Sequence, residues 1–199
     1  MARRTAEEAE RTRQDIVAAA RALFTAHGYA GTATATIVDA AGVTRGALYH
    51  HFADKAAVFQ AVFTELVAEL DDTVNRAAGA EDTAYAAFAT GCRALLDFVV
   101  RPDYHQIAVL DAPAVLGPDQ WHAIDAGLGL DTVELGLKAL AGEGRLRVAP
   151  TRAVAIAVFG ALTEAGIVLS RGEPGTPARD ELVDAVLGLL CGDDDRGAG

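Results

Sequence analysis

The chain has 199 residues, 51% of them hydrophobic, which is enough for a packed core and leaves no case for global disorder. The sequence reads as lacking a membrane span, and no early apolar stretch follows Arg3 and Arg4 as a secretory signal would require. Its two cysteines, Cys92 and Cys191, are far apart and suit a reduced, cytoplasmic protein. The net charge of −11 excludes a uniformly basic nucleic-acid binder, but the charge is unevenly placed. Residues 1–60 carry seven Lys/Arg against six Asp/Glu, whereas residues 61–199 carry ten against twenty-two. A contact with DNA needs local positive charge only, and the first segment retains it.

The apolar residues are mainly Ala, Val and Leu, with Gly and Pro between periodic stretches, so the expected class is all-α with about nine helices. Met1–Arg4 reads as a mobile basic arm, and Thr5 with Glu8 as a capping box opening the first helix. Ile16, Ala20, Leu23, Phe24 and His27 share one face of that helix, which Gly28 stops. Thr32 is placed to cap a short second helix over about 33–40. Ala41-Gly42-Val43 reads as a tight turn, after which Thr44 caps a third helix ending near Phe52. Asp54 caps a long fourth helix, about 55–78, whose apolar stripe is Val58, Phe59, Val62, Phe63, Leu66, Val67 and Leu70.

Further along, a helix over about 83–100 would bury Tyr85, Phe88, Cys92, Leu95, Leu96 and Val99. Pro102 suits the first turn of the next, reaching about Leu110. Residues 112–118, with two prolines, read as a loop. The helix over about 119–140 contains Gly127, Gly129 and Gly136, which are expected to bend or interrupt it. Thr151 opens a helix that is apolar nearly all round through Leu169, and Thr176-Pro177 opens the last one, with a stripe of Leu182, Ala185, Val186, Leu189 and Leu190. No strand is expected. The domain reading is 1–54 for a helix–turn–helix unit, 55–192 for a larger helical unit, and 193–199 for a disordered acidic tail.

Thr32–Lys55 carries the functional signal. Two short helices joined by Ala-Gly-Val make a helix–turn–helix, in which Gly42 can take the left-handed conformation that ends the first helix. Ile37, Val43, Leu48 and Phe52 are spaced to bury and fix the crossing. Thr44, Arg45, Gly46, Tyr49 and His50 then face outward at the front of the second helix, where this motif enters the major groove. Arg45 suits a bidentate bond to a guanine edge, while Thr44, Tyr49 and His51 suit phosphates or thymine methyls. Gly46 permits close approach of the backbone, and Lys55 adds a charge at a helix N-terminus where a phosphate can sit.

The run from Gly28-Tyr29 through Ala40-Ala41-Gly42-Val43-Thr44-Arg45-Gly46-Ala47-Leu48-Tyr49-His50-His51-Phe52-Ala53-Asp54-Lys55 resembles the signature of the TetR family of transcriptional repressors. The likeness covers about the first third of the chain. It departs from the usual pattern at Ala33, Thr34 and Val38, and a fainter likeness to one branch of the family lies around Leu110–Gly117 and Trp121–Asp125. The resemblance implies a homodimer of nine or ten helices per chain, with the first three binding DNA, the fourth linking, and the rest holding an effector and making the dimer. It places Thr32, Thr44, Arg45, Tyr49, His50, His51 and Lys55 at DNA-contacting positions.

Other chemistry finds little support. His50-His51 as a metal pair fails because adjacent helical residues point about 100° apart. His105, Trp121 and His122 with Asp111 and Asp125 match no metal spacing. Gly127-x-Gly129 lacks the third glycine and strand of a nucleotide loop. Ser170, the sole serine, has no nucleophile-elbow surround, and Cys92 on an apolar face reads as core. No catalytic residue, metal or cofactor is expected, and the protein is not expected to be an enzyme. The leading expectation is a dimeric repressor of a palindromic operator in double-stranded DNA, released by a small molecule. The alternatives are an activator or architectural dimer without effector, and more remotely an enzyme with an accessory DNA-binding domain. Candidate effector-cavity residues are Phe88, Cys92, Leu96, Tyr104, Ile107, Trp121, Ile124, Asp125, Thr163 and Glu164. Candidate dimer residues are Val158, Ala161, Ala165, Leu182, Val186 and Leu189, with Glu164 open between the cavity, the interface and solvent near the helix rim.

Overall fold

The computed structural model describes residues 2–192; the acidic tail 193–199 lies outside the described residues. The described chain is helical: α1 (Ala2–Gly31), α2 (Thr34–Ala41), α3 (Arg45–His51), α4 (Lys55–Ala78), α5 (Ala84–Val99), α6 (Pro102–Tyr104), a π-helical segment (His105–Asp111), α7 (Ala112–Leu116), α8 (Pro118–Gly142), α9 (Arg152–Arg171) and α10 (Arg179–Leu190). One isolated antiparallel bridge, Leu146 with Cys191, is the sole strand-like pairing among the described residues.

Contacts divide the chain into two compact units. The first comprises the chain up to Leu66 together with Pro102–His122, and the second comprises Val67–Arg101 and the chain from Ala123 onward. In the first unit α1 packs on α2, α3, α6 and the π-helical segment. Ile16, Val17, Ala20 and Phe24 of α1, Ile37 of α2, Leu48 of α3 and Val58, Phe59, Val62, Phe63 and Leu66 of α4 are all essentially buried. Phe24 and Phe59 meet edge to face with ring centroids 5.2 Å apart. Burying each Val, Leu, Ile or Phe among them contributes about 1.5–3 kcal/mol, and most of these side chains come from the apolar stripes of α1 and α4.

In the second unit α5, α9 and α10 pack on one another. Their core includes Ala89, Cys92 and Leu96 of α5, Leu130, Val133, Leu137 and Leu140 of α8, Ala155, Val158 and Leu162 of α9, and Val183, Val186, Leu187 and Leu190 of α10. Arg93 and Asp97 of α5 form ion pairs with Asp180 and Arg179 at the start of α10.

Several boundaries differ from those expected of the sequence. Helix α1 already includes Ala2, so it does not begin at Thr5 as expected. Helix α2 is preceded by Ala33, which makes no side-chain cap, because the Thr32 hydroxyl is turned inward. Residues 112–116 form a helix, not a loop: Pro113 falls in its first turn, where a missing N–H costs nothing. Helix α8 runs unbroken through its glycines because two of them make room for rings. A Cβ at Gly129 would lie 2.6 Å from Phe159 Cε2, and one at Gly136 would lie 2.6 Å from Phe88 Cδ2. Finally, α9 is long and apolar enough, by length and composition alone, to cross a membrane, a property that core helices share. One of its faces is spent on the second unit's core, and the opposite face is exposed.

Candidate nucleic-acid interface

The helix–turn–helix is built by local chemistry. Gly42 adopts φ +66°, and the N–H groups of Gly42 and Val43 turn back to the carbonyls of Asp39 and Val38, each at 3.2 Å. A residue with a Cβ is strained in that conformation, so the glycine fixes where α2 stops. Thr44 is extended (φ −83°, ψ 155°) and its Oγ1 accepts the Ala47 N–H at 3.1 Å, which starts α3. Leu48 and Phe52 of the same stretch are buried, and α3 packs on α1 and α2.

With Leu48 and Phe52 inward, Thr44, Arg45, Gly46, Tyr49 and His50 are left exposed, and His51 is half-buried. Tyr49 is 43% exposed although it is a large aromatic, and the Arg45 guanidinium lies 5.5 Å from its ring centroid. That stacking holds a planar, permanently charged fork at the front of the helix, the geometry that reads base edges or phosphates. The His50 and His51 rings lie edge-on with centroids 5.3 Å apart, and among the described residues no three His, Cys, Asp or Glu side chains converge as a metal site would need.

Two of the expected DNA contacts are placed differently. Thr32 is only 2% exposed, and its hydroxyl donates to the Gly28 carbonyl at 2.8 Å. Lys55 is half-buried, with its ammonium donating to the carbonyls of Tyr29 at 2.8 Å and Thr32 at 2.9 Å and lying 4.0 Å from the Tyr29 ring centroid. The physical reason is the break in α1. Gly28 adopts φ +68°, ψ 171°, which ends the regular helical bonding; Tyr29 O keeps only a long 3.3 Å bond from the Thr32 N–H, and a nearby cation supplies the stronger partner. The α4 N-terminus is in turn capped by Asp54, whose Oδ1 accepts the Ala57 N–H at 2.8 Å. The Asp111 carboxylate accepts the Tyr29 N–H at 2.8 Å, a contact across 82 positions that no local pattern in the sequence could signal.

The remaining candidate residues fall in both units. Phe88, Cys92, Leu96, Ile124, Asp125, Thr163 and Glu164 belong to the second, whereas Tyr104, Ile107 and Trp121 belong to the first. Cys92 is buried in the second unit's core, and that burial pushes its thiol up to about 12, so it is an inert packing group. Glu164 stands on the exposed face of α9, beside Ala157, Gly160 and Ala161 in helical spacing. Of the candidate dimer residues, Ala161 and Leu189 are exposed, and Leu189 is 79% so. Val158 and Val186 are instead buried in their own chain's core, and Leu182 and Ala165 pack partly against it. The helical period explains this: residues one or two positions from the outer stripe already point inward.

Comparison with known proteins agrees with this architecture. The N-terminal segment, residues 16–62, matches the model described as "Bacterial regulatory proteins, tetR family", and residues 85–192, more than half of the chain, match "Tetracyclin repressor-like, C-terminal domain". The HTH-type transcriptional regulator TtgR of Pseudomonas putida is 48% identical over 82 residues, which span 41% of this chain and 39% of that protein. A probable acrEF/envCD operon repressor of Escherichia coli is 45% identical over 65 residues, 33% of this chain and 30% of that protein. The chain therefore aligns with well under half the length of these regulators. A solved TetR-family transcriptional regulator from Pectobacterium atrosepticum is similar throughout, with a TM-score of 0.78, 32% identity, and coverage of 92% of this chain and 96% of that one. On the helix–turn–helix geometry, the two matched segments and this full-length likeness, the chain belongs to the TetR family of transcriptional regulators.

Proposed function

We propose that this protein is a transcriptional repressor that binds a palindromic operator as a homodimer and is released by a small-molecule effector. The observation that carries the reading is the exposed Thr44-Arg45-Gly46-Tyr49-His50 face of α3, held out by the burial of Leu48 and Phe52 behind it. Such a face is a poor core and a good groove-reading surface, with Arg45 aimed at a base edge and Thr44, Tyr49, His50 and His51 at the backbone or thymine methyls. Thr32 and Lys55 serve by holding the segment that leads into α2. Residues 1–54 carry the DNA contact, and the remainder of the chain senses and dimerises. The relatives' names as regulators favour regulation over catalysis, and the protein works in the cytoplasm, where its operator is.

Dimerisation is supported by unpartnered apolar faces in the second unit. On α9, Ile156 is 56% exposed and is followed by exposed Ala157, Gly160 and Ala161; on α10, Ala185, Gly188 and Leu189 are exposed. Small residues allow close helix approach, so a second copy would cover these faces as a four-helix interface. Two recognition helices held about 34–36 Å apart then dictate half-sites one helical turn apart. The effector is a small molecule, and it acts only by its differential affinity for the DNA-binding and released states.

DNA-site selection with the purified protein tests the reading. Enrichment of a palindrome, with repression of a reporter placed behind it, is the expected result; no enriched motif, or activation of the reporter, overturns it. Within the selected site, Arg45→Ala should raise Kd by a factor corresponding to roughly 1–3 kcal/mol and relax preference at one position per half-site. An unchanged Kd and motif would show that Arg45 does not read the operator.

A further inference from the structure

Helix α1 leaves its path at Gly28, and this frees the backbone N–H of Tyr29, which in an unbroken helix would bond the carbonyl four residues earlier. In this chain that N–H donates to Asp111 Oδ2 at 2.8 Å. The same oxygen accepts Gln106 Nε2 at 3.1 Å. Gln106 and Asp111 are five residues apart within the π-helical segment His105–Asp111. On an α-helix, side chains five apart diverge by about 140°, whereas the i→i+5 periodicity of a π-helix brings them onto one face. The unusual helix thus has a local consequence: it aims an amide and a carboxylate together at one backbone N–H.

The fit requires glycine at position 28. A Cβ there would lie 3.3 Å from Gln106 Nε2 and 3.5 Å from Asp111 Oδ2, and the φ of +68° would strain it. The carbonyl side of the same break is held by Lys55 at Tyr29 and Thr32, and by the Thr32 hydroxyl at Gly28. Residues 28–32 are the segment from which α2 departs, and α2 packs on α3. Earlier in α1, Arg21 is tied to Asp103 of α6, just before the π-helical segment, by an ion pair at 2.6 Å.

We propose that Asp111, oriented by Gln106 through the π-helical register, is a positioning residue for DNA binding: it clamps the Tyr29 N–H and so fixes the departure angle of α2 and the placement of the recognition helix. The proposal rests on the DNA-binding reading above. Asp111 touches no DNA in this scheme, and it acts through the backbone of residues 28–32. The state of the segment His105–Asp111 therefore sets operator affinity.

The test uses the full-length chain with Asp111→Ala, Asp111→Asn and Gln106→Ala, read by amide hydrogen exchange at Tyr29 and by Kd for the selected operator at fixed salt. Loss of a hydrogen bond to a charged acceptor should raise both the Tyr29 exchange rate and Kd about tenfold in Asp111→Ala. Asp111→Asn keeps an acceptor oxygen and should restore both to within about threefold of the parent, while Gln106→Ala should give an intermediate rise, again about threefold. The slope of binding against salt should not change in any variant, since no phosphate contact is removed. Parental exchange and Kd in Asp111→Ala, or equal loss in Asp111→Ala and Asp111→Asn, would overturn the proposal. If Asp111→Ala does not fold, Gln106→Ala decides in its place, and parental values there overturn the proposal. If the parent protein selects no DNA site, the DNA-binding reading fails, whereas Tyr29 exchange in the variants still decides whether Asp111 clamps the break.

Discussion

Replacing Lys55 by alanine separates two roles that the sequence motif alone does not distinguish. As a phosphate contact, Lys55 would contribute to affinity and to salt dependence. As the structure places it, the ammonium donates to two backbone carbonyls at 2.8 and 2.9 Å and sits 4.0 Å from the Tyr29 ring centroid. Hydrogen bonds involving a charged group are each worth about 1.5–3 kcal/mol net, and the ring contact adds about 0.5–1 kcal/mol. Half-burial lets water reach the freed carbonyls, and Tyr29 O keeps a long bond from the Thr32 N–H at 3.3 Å, so the net loss is smaller than the sum. We expect about 2 kcal/mol, which for a chain of this length lowers Tm by roughly 4–8 °C. The assay pairs thermal melting by circular dichroism with operator binding across a salt series. The expected outcome is a lowered Tm with an unchanged slope of log K against log salt. A slope reduced by about 0.9, with Tm unmoved, would mean that the ammonium neutralises a phosphate, and the structural reasoning would be refuted.

Three further outcomes follow from the second unit. Leu189→Asp puts a charge on a side chain that is 79% exposed in the single chain and buried in the proposed dimer; sedimentation should show a helical monomer, and a surviving dimer would rule out α10 as the interface. Gly136→Ala drives a Cβ to 2.6 Å from Phe88 and should destabilise by about 1–2 kcal/mol in urea, whereas Gly127→Ala, with nothing within 4 Å, should stabilise by up to about 1 kcal/mol through helix propensity. Similar shifts for both variants would contradict the packing described. Burial holds the Cys92 thiol at about 12 against an ordinary value of 9.0, with Arg93 pulling weakly the other way. The folded state therefore favours the neutral thiol, so its contribution is complete below pH 9 and is lost as pH rises from 9 towards 12. The loss of stability between pH 8 and pH 10 should be smaller in Cys92→Ala than in the parent, and Cys92 should resist thiol reagents at pH 8 until the protein is unfolded; rapid labelling of the native protein would refute its burial.

Much of the DNA-facing half was written locally. A left-handed glycine after α2, a threonine cap before α3 and buried Leu48 and Phe52 one helical turn apart act between residues close in sequence, so they are legible in a short stretch of chain. The asymmetry of charge was equally local, since it is a property of composition. Helix ends were less legible wherever a distant partner decided them. Gly129 and Gly136 read as interruptions, yet rings from α9 and α5 fill the space a Cβ would take, and α8 runs through.

The same division governs the functional residues. The sequence by itself determined that there is a helix–turn–helix with an outward Arg45-Tyr49-His50 face, because burial of Leu48 and Phe52 and a period of 3.6 residues leave those positions no other direction. Only the tertiary structure decided what Thr32 and Lys55 do, that Val158 and Val186 face inward while Ala161 and Leu189 face out, and that Asp111 answers for the N–H freed at Gly28. The physical reason is range. Capping, turn and periodicity act between residues a few positions apart, whereas a half-buried cation or carboxylate goes to whichever backbone group with spare bonding capacity the folded chain brings beside it, here 26 and 82 positions away.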